Sequence, residues 1–311
     1  MTPHLAGPAL LLGLDFSCAP TRRKPLTFAQ GVRAGQTVKL LTLEALPSLD
    51  EWAARLTPAG MLAAGWTHGF VMGCDFPFGL PRPFVQALAA QGPGEAFWAL
   101  SDDQNSTPEC DRLIVALKAH CDDRAGFQRL IDGWGQTWDM VRPAGSKLLH
   151  RATDRAVPGL SSTSPLQTRY VPVGKMYFEG LQRLVAADVS LPGLRAGRPE
   201  AVALEAYPGL LAGEILGRRS YKSESEASPE RLIARLDLID ALEQGRTRLG
   251  LRLKLTPAQR DHLAADPKGD RLDAVLCLMQ AAWAQQRHEA GDAHWGLSPE
   301  MDPVEGWILT A

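Results

Sequence analysis

Apolar residues along this chain come either in unbroken runs or at helical spacing, and the switches between the two patterns predict its elements. Residues 9–16 are almost wholly apolar, the signature of a central strand covered on both faces. Residues 26–32 and 37–43 read as two more strands, with Arg33-Ala34-Gly35-Gln36 between them as a hairpin connection. Ser48 can cap a helix that has Asp50 and Glu51 in its first turn and Leu49, Trp52, Ala53 and Leu56 on its apolar side. After Gly65, residues 68–74 return as a fourth strand that ends at Asp75. Pro77, Gly79, Pro81 and Pro83 stop that strand and lead into helical stretches over 84–119 and 124–140. Residues 142–182 read as loop-rich. A fifth strand over 201–206 and helices over 229–242, 257–264 and 272–287 follow, and 306–310 closes the chain as a short strand or a packed tail.

Three strands, a helix and a fourth strand describe an antiparallel meander followed by a helical crossover into a parallel strand. That order is the first half of the ribonuclease H fold. The expected class is therefore α/β: a ribonuclease H-like mixed sheet, three antiparallel strands then parallel ones, flanked by helices. Residues 1–80 plus 200–311 would form the core, and residues 81–199 a large, mainly helical insertion.

Composition narrows the picture only slightly. At 311 residues, 45% hydrophobic and 22% charged, the chain is long enough for one large core and ordinary for a globular protein. Its net charge of −2 gives no overall basic footprint, so nucleic acid would have to meet a local patch. Cys18, Cys74, Cys110, Cys121 and Cys277 form no C-x-x-C pair, which points to buried free thiols and a reducing cytoplasm. The apolar stretch over 5–14 is broken by Gly7 and Pro8 and ends in an acid, so it reads as a strand and not as a signal peptide. No run of about eighteen apolar residues offers a membrane span.

Acids end the apolar runs. Asp15, Asp75 and Glu205 each close a predicted strand, and Asp270 and Asp273 open the last helix on one face. Each has an ordinary explanation alone: a cap or turn for Asp15, a turn for Asp75, pairing of Glu205 with Arg218 or Arg219, and helix capping for Asp270 or Asp273. Together they fit poorly with independent explanations, because gathered carboxylates repel unless a cation or proton offsets them. Hard oxygen donors suit Mg2+ or Mn2+, and two such ions about 4 Å apart suit phosphodiester hydrolysis. No P-loop, G-x-G-x-x-G, nucleophile elbow or H-E-x-x-H competes.

Several motifs also carry a resemblance: Gly13-Leu14-Asp15-Phe16-Ser17, Asp75-Phe76-Pro77-Phe78-Gly79-Leu80-Pro81, Thr153-Asp154-Arg155, residues 173–180, Glu205-Ala206-Tyr207-Pro208-Gly209, residues 218–222, Gly269-Asp270-Arg271-Leu272-Asp273-Ala274 and residues 303–308. Over nearly its whole length the chain resembles the family called domain of unknown function 429, described as predicted nucleases with a ribonuclease H-like fold. Similarity to Holliday-junction resolvases implies that Asp15, Asp270 and Asp273 are metal-binding catalytic acids, with either Asp75 or Glu205 as the middle acid.

Residues 142–183 carry seven Lys or Arg (Arg142, Lys147, Arg151, Arg155, Arg169, Lys175, Arg183) against Asp154 and Glu179. Arg155 and Lys175 here, and Arg218, Arg219 and Lys222 with the Tyr221 ring, are candidate contacts to a DNA or RNA backbone, against the ordinary alternative of solvated surface charge. Trp134, Trp138, Trp283 and Trp307 read as core residues. The expected function is a metal-dependent nuclease acting on structured or single-stranded nucleic acid. Two other classes compete. An actin- or sugar-kinase-like phosphotransferase would share the opening topology, but the glycines it needs near the phosphates are missing after Asp15. A non-catalytic nucleic-acid-binding module would have no need of the acids. A homodimer is compatible with the sequence.

Overall fold

The computed structural model describes residues 9–101, 106–134, 148–158, 162–223 and 228–311. Its centre is a seven-stranded mixed sheet. β1 (Leu10–Asp15) pairs antiparallel with β2 (Leu26–Ala34), which pairs antiparallel with β3 (Thr37–Leu46). α1 (Leu49–Leu56) and α2 (Pro58–Ala63) cross over to β4 (Phe70–Cys74), which returns parallel to β1. The Ser48 side chain accepts from the Glu51 N–H at 3.1 Å, the cap its position predicts.

Between β4 and the next long strand the chain is mainly helical. The stretch over 84–119 is not continuous: Gly92-Pro93-Gly94 separates α3 (Arg82–Gln91) from a 3-10 turn, Glu95–Ser101, and α4 (Glu109–His120) follows. α5 (Arg124–Gly133) has buried Trp134 at its end, while the rest of the predicted helix to 140, Trp138, Arg142 and Lys147 lie outside the described residues. α6 (Val173–Ala186) corrects the loop-rich expectation. Its glycines disguise it. A Cβ on Gly174 would lie 2.4 Å from the Pro165 carbonyl and one on Gly180 2.5 Å from the Phe76 ring, so packing demands residues that helix propensity disfavours.

β5 (Val189–Ser190) and β6 (Arg198–Glu205) extend the sheet in parallel beyond β4. α7 (Pro208–Leu216) begins on the proline that reads in sequence as a strand breaker, because the first helical turn has no use for its N–H. α8 (Pro229–Glu243), β7 (Arg252–Lys254) and α9 (Pro257–Ala264) lead to α10 (Asp270–Glu289), and the strand order is β5-β6-β4-β1-β2-β3-β7. The 306–310 segment is a packed tail: Leu309 N–H donates to the Glu205 carbonyl at 2.9 Å, and no strand forms.

Strand pleating sorts the core into two layers. Leu12, Leu14, Phe28, Met72 and Cys74 face α1 and α3–α6, whereas Leu11, Ala29, Val71, Val202 and Leu204 face α7, α8 and α10. All five cysteines are buried free thiols. α10 is buried all round from Leu272 to Ala282, with the sheet on one side and α7 on the other. No helix among the described residues is long and apolar enough to cross a membrane.

Candidate metal centre

Sheet register decides which acids meet. Leu14 of β1 lies beside Cys74 of β4, and Asp75 N–H donates to the Leu14 carbonyl at 2.9 Å, so Asp15 and Asp75 leave neighbouring strands at one level. Both side chains share the face of Gly13 and Gly73, two residues earlier in each strand. α10 packs directly on those glycines. A Cβ on Gly13 would fall 2.0 Å from the Ala274 carbonyl oxygen, and one on Gly73 2.3 Å from that of Cys277. Only glycine permits this approach, and it brings Asp273 to the strand ends. Oxygens of Asp15, Asp75 and Asp273 lie within 4.8 Å of one another.

Glu205 is one residue out of step. It pairs in register with Cys74, not Asp75, so its side chain points to the opposite face of the sheet. There Arg151 Nη1 donates to its Oε2 at 2.7 Å, Nη2 donates to its Oε1 at 2.6 Å, and Phe78 N–H donates to Oε2 at 2.9 Å. Arg151 directs its other donors to both Asp154 oxygens and the Glu305 carbonyl, which engages all five N–H groups. Neither Arg218 nor Arg219 takes this role; Arg219 pairs with Asp237 at 2.7 Å. Asp270 stands outside the triad in a groove with Arg23, Lys268 and Arg271, although its charge still reaches Asp15.

The three acids strain one another electrostatically. Burial, then the charges of Asp273, Asp75 and Asp270, hold the Asp15 carboxyl well above the usual range. Asp75 is pushed up to about 7, by burial first and Asp273 second. A cation is already present: Lys222 Nζ and Tyr221 OH both donate to the Asp273 carboxylate. Burial works against the Lys222 ammonium, yet Asp273, Asp75 and Asp15 outweigh it and raise its pKa. The side chain is 47% exposed while its charge lies among the acids. Tyr221 is buried, which corrects its expected role as a stacking ring.

This donor set fits a hard divalent ion. Three carboxylates supply only oxygen, the donor that Mg2+ and Mn2+ prefer; in an octahedral shell with bonds of about 2.1 Å, neighbouring oxygens lie about 3.0 Å apart, so the triad would draw together around a bound ion. Tyr221 would fix the Asp273 carboxylate from outside the coordination sphere.

The other expected contacts are dispersed. Arg155 is exposed and Lys175 half-buried near Cys18, while Arg151 is buried, Arg169 pairs with Asp132 at 2.7 Å and Arg183 with Glu179 at 2.7 Å. Sequence reading missed the Arg151 clamp and the Tyr221 bond. A signal for the triad itself was present: Gly13-x-Asp15 and Gly73-x-Asp75 both place a glycine on the acid's own face.

Beside the triad is a cavity of about 220 Å³ that includes Asp75, Lys222, Tyr207 and Met176 in its wall. Compared with known proteins, the chain matches no family model, no curated protein and no solved structure.

Proposed function

We propose that this chain is a divalent-metal-dependent phosphodiesterase acting on nucleic acid, with a ribonuclease H-like core and a resemblance to domain of unknown function 429. The observation that carries the reading is the meeting of Asp15, Asp75 and Asp273 from the ends of β1 and β4 and the start of α10. The strand order, meander first and parallel strand after a helical crossover, supports it. Free buried thiols support a reducing cytoplasm as the compartment.

Each residue has a separate task. Asp15, Asp75 and Asp273 would hold Mg2+ or Mn2+, and Tyr221 would keep Asp273 oriented through its hydroxyl. When bound, such an ion supplies Lewis-acid stabilisation of charge on a phosphoryl oxygen and makes water more acidic. Lys222 contributes a positive charge that favours the approach of an anionic phosphodiester to an acidic site. Asp270, three residues before Asp273 at the start of α10, would be the acid to help hold a second ion.

Hydrolysis of bis(p-nitrophenyl) phosphate and of DNA and RNA, with Mg2+ or Mn2+, tests the reading. Activity is expected to need the ion and to fall by at least about a hundredfold in Asp15→Asn. Metal-independent turnover, or activity that survives Asp15→Asn with Asp273→Asn, would overturn it. ATP-dependent phosphorylation of a small molecule would favour the phosphotransferase instead.

A further inference from the structure

The register that builds the triad also aligns two depressions on either side of it. The 220 Å³ cavity lies over the ends of β4 and β6, where it is lined by Asp75, Glu205 and Ala206. On the other side a groove of about 410 Å³ lies over β2 and β3, where Thr27, Glu44 and Ala45 line it. Thr27 pairs with Asp15 and Ala45 with Thr27, so cavity, triad and groove follow one another along a single sheet edge. From β6 to β3 is four strand spacings, about 19 Å.

Chemistry differs between the two ends. Met176, Val171 and Ile308 give the cavity apolar walls, and Thr163 and Tyr207 add hydroxyls. Arg151 also reaches this wall, but its donors are all engaged and leave nothing for a phosphate. The volume is below the roughly 300–1,000 Å³ of clefts for drug-sized ligands, and suits one planar ring with its sugar. Tyr170, the chain neighbour of the wall residue Val171, is 99% exposed and held at φ 61°, a left-handed conformation that a bulky side chain rarely adopts. An aromatic ring displayed there is a platform for a base.

The groove offers cations. Lys268 Nζ donates to the Arg23 carbonyl and Arg271 Nη1 to the His262 carbonyl, and Arg23 has no ion pair among the described residues. Two of the acids there are engaged: Glu44 pairs with Arg55, and Asp266 accepts the backbone N–H groups of Lys268 and Arg271. Asp270 lines the same groove.

We propose that a single-stranded polynucleotide lies along this edge, its backbone on Arg23, Lys268 and Arg271, with one unpaired nucleotide seated in the cavity beside Asp75. A duplex could not place a base there without opening. This rests on the phosphodiesterase reading and names its substrate class.

Binding decides it without turnover. In the Asp15→Asn protein with Mg2+, anisotropy of a fluorescein-labelled strand of about 15 nucleotides, as DNA and as RNA, is compared with the duplex of the same sequence. One of the single strands is expected to bind at least about tenfold tighter than the duplex, and Met176→Trp and Arg23→Glu each to weaken it about threefold or more. Arg23 is exposed, so that variant does not depend on repacking a core. Equal binding of duplex and strands, or strand binding indifferent to both substitutions, would overturn the proposal. Failure of the metal reading would show elsewhere, as absence of Mn2+ binding to the wild type in calorimetry, while anisotropy still reports where a strand lies.

Discussion

Arg151 grips Glu205 through two parallel N–H···O bonds between side chains that are 2% and 4% exposed. A buried pair of this kind is expensive to break, because the surviving charge has no water to replace its partner. Glu205→Gln is expected to cost about 3–5 kcal/mol of stability in urea unfolding. Its Mn2+ affinity should change by less than about fivefold, since the register turns Glu205 away from the triad. A loss of affinity equal to that of Asp273→Asn would place Glu205 among the ligands.

Gly13 and Gly73 set the distance between α10 and the sheet. Gly13→Ala puts a methyl carbon where the Ala274 carbonyl stands, so α10 must move and Asp273 with it. Thermal or urea unfolding should show a loss of about 1–3 kcal/mol or more, accompanied by weaker Mn2+ binding. Unchanged stability in the Gly13→Ala protein would mean that the helix does not rest on the strand as described.

The pH dependence follows from Asp75. Its folded value of about 7, set by burial and then by Asp273, exceeds the unfolded value of about 3.9. The folded chain thus keeps a proton that the unfolded chain has lost. The resulting stabilisation is complete below about pH 4 and disappears as pH rises through about 7. In EDTA, urea midpoints of the wild type should fall between about pH 5 and pH 8 relative to Asp75→Asn, which has no such proton. Added Mn2+ should reverse the trend, because the ligands must be ionised to bind it. Parallel profiles for wild type and Asp75→Asn would contradict the assignment.

Lys222 and a divalent ion share Asp273. Removing the ammonium in Lys222→Met should lower the stability of the metal-free protein by up to about 1 kcal/mol, since the side chain is half exposed. Mn2+ should bind about fivefold tighter, measured by calorimetry, because no resident cation has to yield. Weaker binding in Lys222→Met would show instead that the lysine orders the site.

Much of the frame is legible in residue pattern alone, because β1, β4, β6 and α10 are long apolar runs and the acids close or open them. The exact membership of the site is not. Asp75 and Glu205 each end an apolar run, and a one-residue difference in register, invisible in either run, sends them to opposite faces. α6 and α7 are hidden for a similar reason: Gly174, Gly180 and Pro208 look like breakers until the neighbours that require them are known. β5 and β7, two and three residues long, carry too little periodicity to read. The buried Arg151 reads as surface charge in sequence because its partners come from β6, the loop at Asp154 and the C-terminal tail.

A crystal soaked in Mn2+ and measured at the manganese absorption edge tests the central claim most directly. An anomalous peak is expected among Asp15, Asp75 and Asp273, with carboxylate oxygens at about 2.2 Å and Glu205 still on Arg151. An Mn2+-saturated crystal with no peak between these three carboxylates would contradict the account.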